Sequence, residues 1–368
     1  MQIGEFFNLC NLHPWAYVAL AINLIVVFLN GYTDAPNTIA TIIASRAMKP
    51  RNAFLLSAIC NLLGALTIGA FSIYISRVFG GGIIDTVSGI VNFGNSNADH
   101  MLVAIACGLA AIIVVTIICT LLGLPSSQTN CLVGGLTGAG LALMVLGNGG
   151  SIGINPWIKV LIGFFGSLVF GFVLGYLFTK LIQVVCRKMN KGKTNRFFNN
   201  GQIVSAAVIN YVHGIQDGGK FIGISVLIVA ILYVDVNSGV PLATAVDSLS
   251  GTWWIYLLPA LILGVSCFFG NRKIVKSLGR GMASINNYQA FATDIASSLG
   301  LLLATLFGLP LSTGTIKNTA IMGTGAAKSM RRVKWKKAFE IVGWNALVFP
   351  FSAIAAFAIC LIFIWTVK

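Results

Sequence analysis

Residues 30–37 read Asn-Gly-Tyr-Thr-Asp-Ala-Pro-Asn, and they lie inside an apolar run extending from Trp15 to Ser45. That run is long enough to cross a bilayer as a helix. A carboxylate in its middle is expensive, since an isolated charge at a helix centre costs roughly 2.5–3.5 kcal/mol. Residues 212–220, Val-His-Gly-Ile-Gln-Asp-Gly-Gly-Lys, repeat the situation in the second half. Each stretch is followed by a Gly-Leu-Pro break and a group of hydroxyls, GLPSSQT at 123–129 and GLPLSTG at 308–314. The near-equal spacing predicts a duplicated unit, and interrupted apolar segments at equivalent places in two halves predict a binding site near the membrane midplane.

Composition agrees with a bilayer environment. The 368 residues are 57% hydrophobic and 9% charged, with a mean hydropathy of +0.89. A water-soluble chain of this size needs more polar surface. The formal charge of +15 raises nucleic acid as a partner, but the positions of the charges argue against it. Nineteen of the 24 basic residues fall in four clusters, at 46–51, 180–196, 272–280 and 328–337. The connections at 85–99 and 235–247 carry acids and almost no Lys or Arg. By the positive-inside rule the four basic clusters face the cytoplasm and the acidic connections face outward.

Threading the apolar runs through these assignments gives one path. Residues 1–185 form a first half whose N-terminus is outside, and residues 186–368 form a second half of opposite orientation whose C-terminus is outside. In each half one segment, Met101–Gly147 or Ser284–Gly325, leaves and returns on the same side. The expected fold is therefore an all-α polytopic membrane protein with two inverted-topology repeats, broken helices and re-entrant helical hairpins.

Five charged residues remain inside apolar spans: Asp34, Asp217, Asp294, Lys220 and Lys317. Pairing, bound ions or water must offset most of their cost. Gly31, Asp34, Pro36 and Asn37 predict unwound backbone at 31–37, where freed carbonyls and a carboxylate suit a small hard cation. The glycines around Asp217 predict the same at 213–223; a simple kink with an N-capping Asp is the alternative. The hydroxyls Ser126, Ser127 and Thr129, and Ser312, Thr313 and Thr315, each sit where a new helix begins after the break. A helix N-terminus offers free N–H groups and partial positive charge, so each segment is a candidate anion cradle, with plain Ser/Thr caps as the alternative. Lys220 stands where the first half has Asn37. It either pairs with Asp217, neutralises a substrate, or stands in for a second cation. Lys317 is expected near the cytoplasmic mouth as an attracting or snorkelling lysine, and Asp294 is expected to be protonated or to receive one of the two lysines. His213 either bonds a carbonyl of the broken helix or carries a proton.

At these motifs the sequence resembles the inorganic phosphate transporter family, over nearly its whole length. Gly31, Asp34 and Asn37 match one signature of that family. His213, Gly214, Asp217, Lys220 and Gly223 match a second, and Leu124, Pro125, Ser126, Leu309, Pro310, Ser312 and Thr313 match its paired hairpins. The departures fall among presumed ligands: Thr33 and Gln216 replace signature asparagines, Pro36 an alanine and Gly219 a glutamine. Gln128, Asn130, Gly314 and Thr315 occupy hairpin positions that usually read Thr or His.

The resemblance implies a bacterial Na⁺- or H⁺-coupled phosphate symporter of the plasma membrane, working by alternating access and dimeric. It implies phosphate at Ser126, Ser127, Gln128, Thr129, Ser312, Thr313, Gly314, Thr315 and Lys220. The coupling cation, Na⁺ among the candidates, falls to Asp34, Asn37, Gln216 and Asp217, with Thr33, His213, Asp294 and Lys317 accessory. No cofactor is expected beyond the co-transported ion. A sulfate permease of similar sequence, an intramembrane aspartyl protease built on the two aspartates, and a passive anion channel are the competing readings.

Overall fold

A computed structural model describes residues 2–79, 82–93, 96–122, 127–237, 240–249, 252–275 and 286–364. After a short helix α1 (Ile3–Leu12) come α2 (Trp15–Ala44), α3 (Pro50–Phe79), α4 (Ile83–Ser88), α5 (Ala98–Leu122), α6 (Gln128–Val145) and α7 (Ile154–Val185). The second half contains α8 (Lys191–Val236), α9 (Leu242–Leu249), α10 (Trp253–Phe268), α11 (Asn287–Leu306), α12 (Thr313–Lys328) and α13 (Trp335–Ile364). Among the described residues, eight helices are long and apolar enough to cross a membrane. The distribution of polarity is that of a protein dissolved in hydrocarbon. Phe165, Phe170 and Leu177 on α7 and Phe351, Ile354 and Ile362 on α13 are exposed, while Asn23, Asn30, Asn61, Asn210 and Gln289 are buried. The chain is an all-α polytopic membrane protein.

The packing is reciprocal between the halves. Helix α3 lies on α8 and α10 lies on α2; α7 packs against α11 and α12, and α13 against α5 and α6. The hairpin α5–α6 starts and ends on one side, because the two-residue strands that flank it, β1 (Val91–Asn92) and β2 (Ser151–Ile152), pair antiparallel. Its helices approach closely at two glycines. A Cβ on Gly135 would lie 2.5 Å from the carbonyl oxygen of Gly108. Hairpin α11–α12 likewise returns to its starting side, with Gln289 Nε2 near its entry donating to Thr324 O near its exit at 2.9 Å.

Two features differ from the sequence expectation. Helices α2 and α8 run unbroken through 31–37 and 213–223. At Pro36 the ring removes the N–H that the Tyr32 carbonyl would have accepted, and Asn271 N supplies it instead at 2.8 Å. The helix therefore keeps its path with the Tyr32 carbonyl satisfied. In α8 the glycines serve packing rather than unwinding: a Cβ on Gly214 would lie 2.3 Å from Asn61 O on α3. The break expected at the Gly-Leu-Pro of the second hairpin is present, with Gly308 at a φ of +64°, and a further bend, of 73°, separates α9 from α10. The small elements α1, α4, β1 and β2 were not expected.

Charge divides between two ends of the bundle. At one end His13 lies 3.0 Å from Asp99 and 3.2 Å from Asp235, and Asp85 and Asp247 line one cavity of about 630 Å³. At the other end Arg46, Arg187 and Lys328, from three of the four basic clusters, line a cavity of about 800 Å³. Part of the remaining cluster, with Lys276 and Arg280, lies outside the described residues.

Candidate functional site

The two hairpin tips meet. Ser127 caps α6, accepting from Asn130 N at 3.3 Å, and Ser312 caps α12, accepting from Thr315 N at 3.3 Å. Both adopt extended backbone before a helical run, as an N-cap serine does. Ser127 Oγ donates to Ser312 Oγ at 2.9 Å, so two helix N-termini with their partial positive charge converge on one point. Thr315 Oγ1 also donates to Ser312 Oγ, at 2.9 Å. Ser126 lies outside the described residues.

Lys220 reaches this junction from α8. Its ammonium donates to Thr129 Oγ1 at 2.7 Å, to Leu311 O at 2.7 Å and to Asp217 Oδ1 at 2.8 Å. Of the roles open to it, the structure therefore displays the pairing with Asp217. The other carboxylate oxygen accepts from Asn30 Nδ2 at 3.0 Å and lies 3.1 Å from His213 Nε2. The far ring nitrogen of His213 meets Asn61 Oδ1 at 2.5 Å. The imidazole is thus wedged between side chains, with no freed helix carbonyl to receive it. Asn30 closes the link between the two motif stretches that opened the sequence reading.

Asp34 stands beside this group, with Asn37 Nδ2 donating to its Oδ1 at 3.2 Å. Donor atoms of Asp34, His213 and Asp217 fall within 4.8 Å of one another, and all three residues are buried. Gly314 abuts Asn37: a Cβ there would come 3.1 Å from Asn37 Nδ2. With the His213 imidazole neutral, two ionised carboxylates against one ammonium leave one excess negative charge in this buried group. Such a charge is costly without a counter-ion or proton.

The remaining candidates sit at the margin. Gln128 donates to Thr33 Oγ1 at 3.2 Å and to Thr116 Oγ1 at 3.0 Å, tying the first tip to α2 and α5. Gln216 points away from the carboxylates, donating to Leu309 O at 2.9 Å and accepting from Thr305 Oγ1 at 2.5 Å. It holds the second tip in place. Thr313 is buried within that tip.

Lys317 departs from expectation. It is 1% exposed and is in direct contact with Asp294, so it neither snorkels nor lines the mouth. A lysine on a hairpin helix finds a deep partner here because α12 returns through the protein interior rather than along lipid. Residues to which the sequence reading gave no role join these networks: Asn30, Asn61, Asn210, Thr38, Thr41, Gln202 and Ser205. Their signal was available as uncharged polar residues inside apolar runs.

The sequence profile of the phosphate transporter family matches residues 30–194 and 185–356. The chain belongs to the phosphate transporter family. A probable low-affinity inorganic phosphate transporter of Bacillus subtilis (strain 168) is 28% identical over 342 residues, spanning 91% of this chain and 94% of that protein. Proteins of the same description from Mycobacterium tuberculosis H37Rv and Rhizobium meliloti are 30% and 29% identical, over 86% and 93% of this chain and 70% and 94% of theirs. A solved structure described as the sodium-dependent phosphate transporter superposes with a TM-score of 0.77 at 19% identity, covering 96% of this chain and 99% of its own. At that identity the likeness concerns the fold. This member of the phosphate transporter family is accordingly a multi-pass membrane transporter of phosphate, and neither an enzyme nor a protease.

Proposed function

We propose that this phosphate transporter is a cation-coupled symporter, moving phosphate together with Na⁺ or H⁺ by alternating access between its two hairpins. The observation that carries the reading is the juxtaposition of opposite demands at one buried place. Two helix N-termini and Lys220 favour an anion, while Asp34 and Asp217, beside His213 and Asn37, leave a negative charge that a cation or proton neutralises. An anion and a cation bound together cost less to bury than either alone. The basic end is the cytoplasmic one in this reading, and the reciprocal packing of the halves supports an inverted pair that rocks about the tips.

The carboxylates also favour phosphate over sulfate. Near neutral pH phosphate retains at least one O–H, which donates to a carboxylate, whereas sulfate has no proton and meets the same oxygen as a repulsion. A buried group left without its partner discriminates strongly.

Uptake of labelled phosphate into proteoliposomes under a Na⁺ gradient, a proton gradient or neither tests the proposal, with sulfate and arsenate as competitors. Acceleration by one cation gradient and weak competition by sulfate are expected. Uptake indifferent to both gradients removes the symport reading and leaves a passive conduit.

A further inference from the structure

A second buried ion pair lies apart from the tip site. Asp294 on α11 contacts the ammonium of Lys317 on α12. Its Oδ1 also accepts from Thr41 Oγ1 on α2 at 2.8 Å, and its Oδ2 from Gln202 and from Ser205 Oγ on α8, the latter at 3.3 Å. The pair fastens the second hairpin to the two helices that carry Asp34 and Asp217.

Its position along those helices is consistent. On α2 the order is Asp34, Thr41, then Ala44 to Arg46 at the basic cavity. On α8 it is Asp217, Ser205 and Gln202, then Asn195 and Thr194 at the cavity. On α12 it is the Ser312 cap, Lys317, then Lys328. At 1.5 Å per residue, Thr41 lies about 10 Å beyond Asp34 and Lys317 about 8 Å beyond Ser312. The pair therefore stands between the tip site and the basic cavity along α2, α8 and α12.

The other half shows that packing does not require charge here. Asp294 is sixteen residues before Pro310 and Lys317 seven after it; the residues so placed about Pro125 are Leu109 and Leu132, both buried. Replacing a buried ion pair by apolar residues is often neutral or stabilising. Charge in the half whose hairpin enters from the basic end thus answers a need that the leucines do not meet.

We propose that Asp294 and Lys317 are positioning residues for the transport step, an inner gate whose closed pair bars the way from the tip site to the basic cavity. The proposal rests on the reading of the tips as the substrate site. When the second hairpin moves away from α2 and α8, the pair and its bonds to Thr41, Gln202 and Ser205 part together. An all-or-none latch of this kind suits a two-state opening.

Thr38, buried between Asp34 and Thr41, reports on the gate. Thr38→Cys is labelled with a membrane-impermeant maleimide in vesicles of either orientation, and the rate on the same chain with Thr38 is subtracted. Two backgrounds are compared with the parent: Lys317→Gln, which removes the charge and keeps a hydrogen-bonding side chain, and Asp294→Leu/Lys317→Leu, which installs the residues of the other half. Labelling at least tenfold faster from the basic face, with none gained from the acidic face, is expected in both. Unchanged labelling, or a gain equal from both faces, overturns the gate. If the leucine pair does not assemble, Lys317→Gln alone decides. Equilibrium phosphate binding by the purified parent chain, measured alongside, tests the underlying reading separately; its absence defeats that reading without altering the one-face labelling result.

Discussion

Ser127 and Ser312, 185 residues apart in sequence, meet hydroxyl to hydroxyl at 2.9 Å. Each caps the helix behind it, so the bond joins two N-termini at one electropositive point, the seat proposed above for the oxyanion. Ser127→Ala and Ser312→Ala are each expected to lower kcat/KM for phosphate about tenfold, the worth of roughly one good hydrogen bond. Because the two share that bond, the double variant loses less than the product of the singles. Initial uptake rates across a phosphate series measure both effects.

The Asp217–Lys220 pair, 1% exposed on each side at 2.8 Å, sets a second expectation. Removing one partner strands a buried charge, at a cost of about 3–5 kcal/mol. Lys220→Met alone, which leaves Asp217 and Asp34 with no ammonium, should therefore lower the melting temperature in detergent markedly, and Asp217→Asn, which leaves Asp34 to balance Lys220, should lower it less. The double variant should recover most of the stability and none of the transport. A double variant as unstable as Lys220→Met contradicts the pairing as the source of the cost.

Helix α8 packs against α3 through Gly214, and the contact positions the His213–Asn61 bond of 2.5 Å. With Asn61 O at 2.3 Å from a Cβ built there, Gly214→Ala must push the helices apart. Overpacking of this kind costs about 1–3 kcal/mol, and the displaced imidazole no longer reaches both neighbours. A lower melting temperature together with lost uptake is expected. Ala in place of Gly4, where a Cβ meets nothing within 4 Å, is the matched control and should change neither.

The hairpins and the segregation of charge were legible because they depend on local signals: a Gly-Leu-Pro break followed by hydroxyls, and where Lys and Arg gather. The continuity of α2 was not. It depends on Asn271, far along the chain, donating to the carbonyl that Pro36 leaves free, and no local pattern announces a partner of that kind. The same limit left open which lysine Asp294 receives, and so where Lys317 ends. Snorkelling is the solution for a lysine at a lipid-facing helix end, whereas an interior helix offers a carboxylate, and which applies is a matter of tertiary packing. Gln216 was assigned to the cation by its place in a motif, yet its amide reaches the Leu309 carbonyl, because the second tip passes on that side of α8.

Asp34 tests both the coupling and the choice of anion. It adds the carboxylate that takes the buried group to an excess of one negative charge, and it accepts from Asn37 at 3.2 Å. In Asp34→Asn the group is neutral with Asp217 and Lys220 ionised, so the need for a neutralising cation falls. Phosphate binding by the purified variant should then depend less steeply on Na⁺ or pH than in the parent, while gradient-driven uptake is lost. The amide also presents N–H donors where the carboxylate presented acceptors alone. Sulfate, repelled by a carboxylate at this place, should gain as a competitor by about tenfold or more, the scale of one charged hydrogen bond. Competition assays on labelled phosphate binding give both numbers from one preparation. Unaltered cation dependence in Asp34→Asn would place the coupling ion elsewhere, and an unaltered sulfate-to-phosphate ratio would remove this carboxylate from the recognition of the oxyanion.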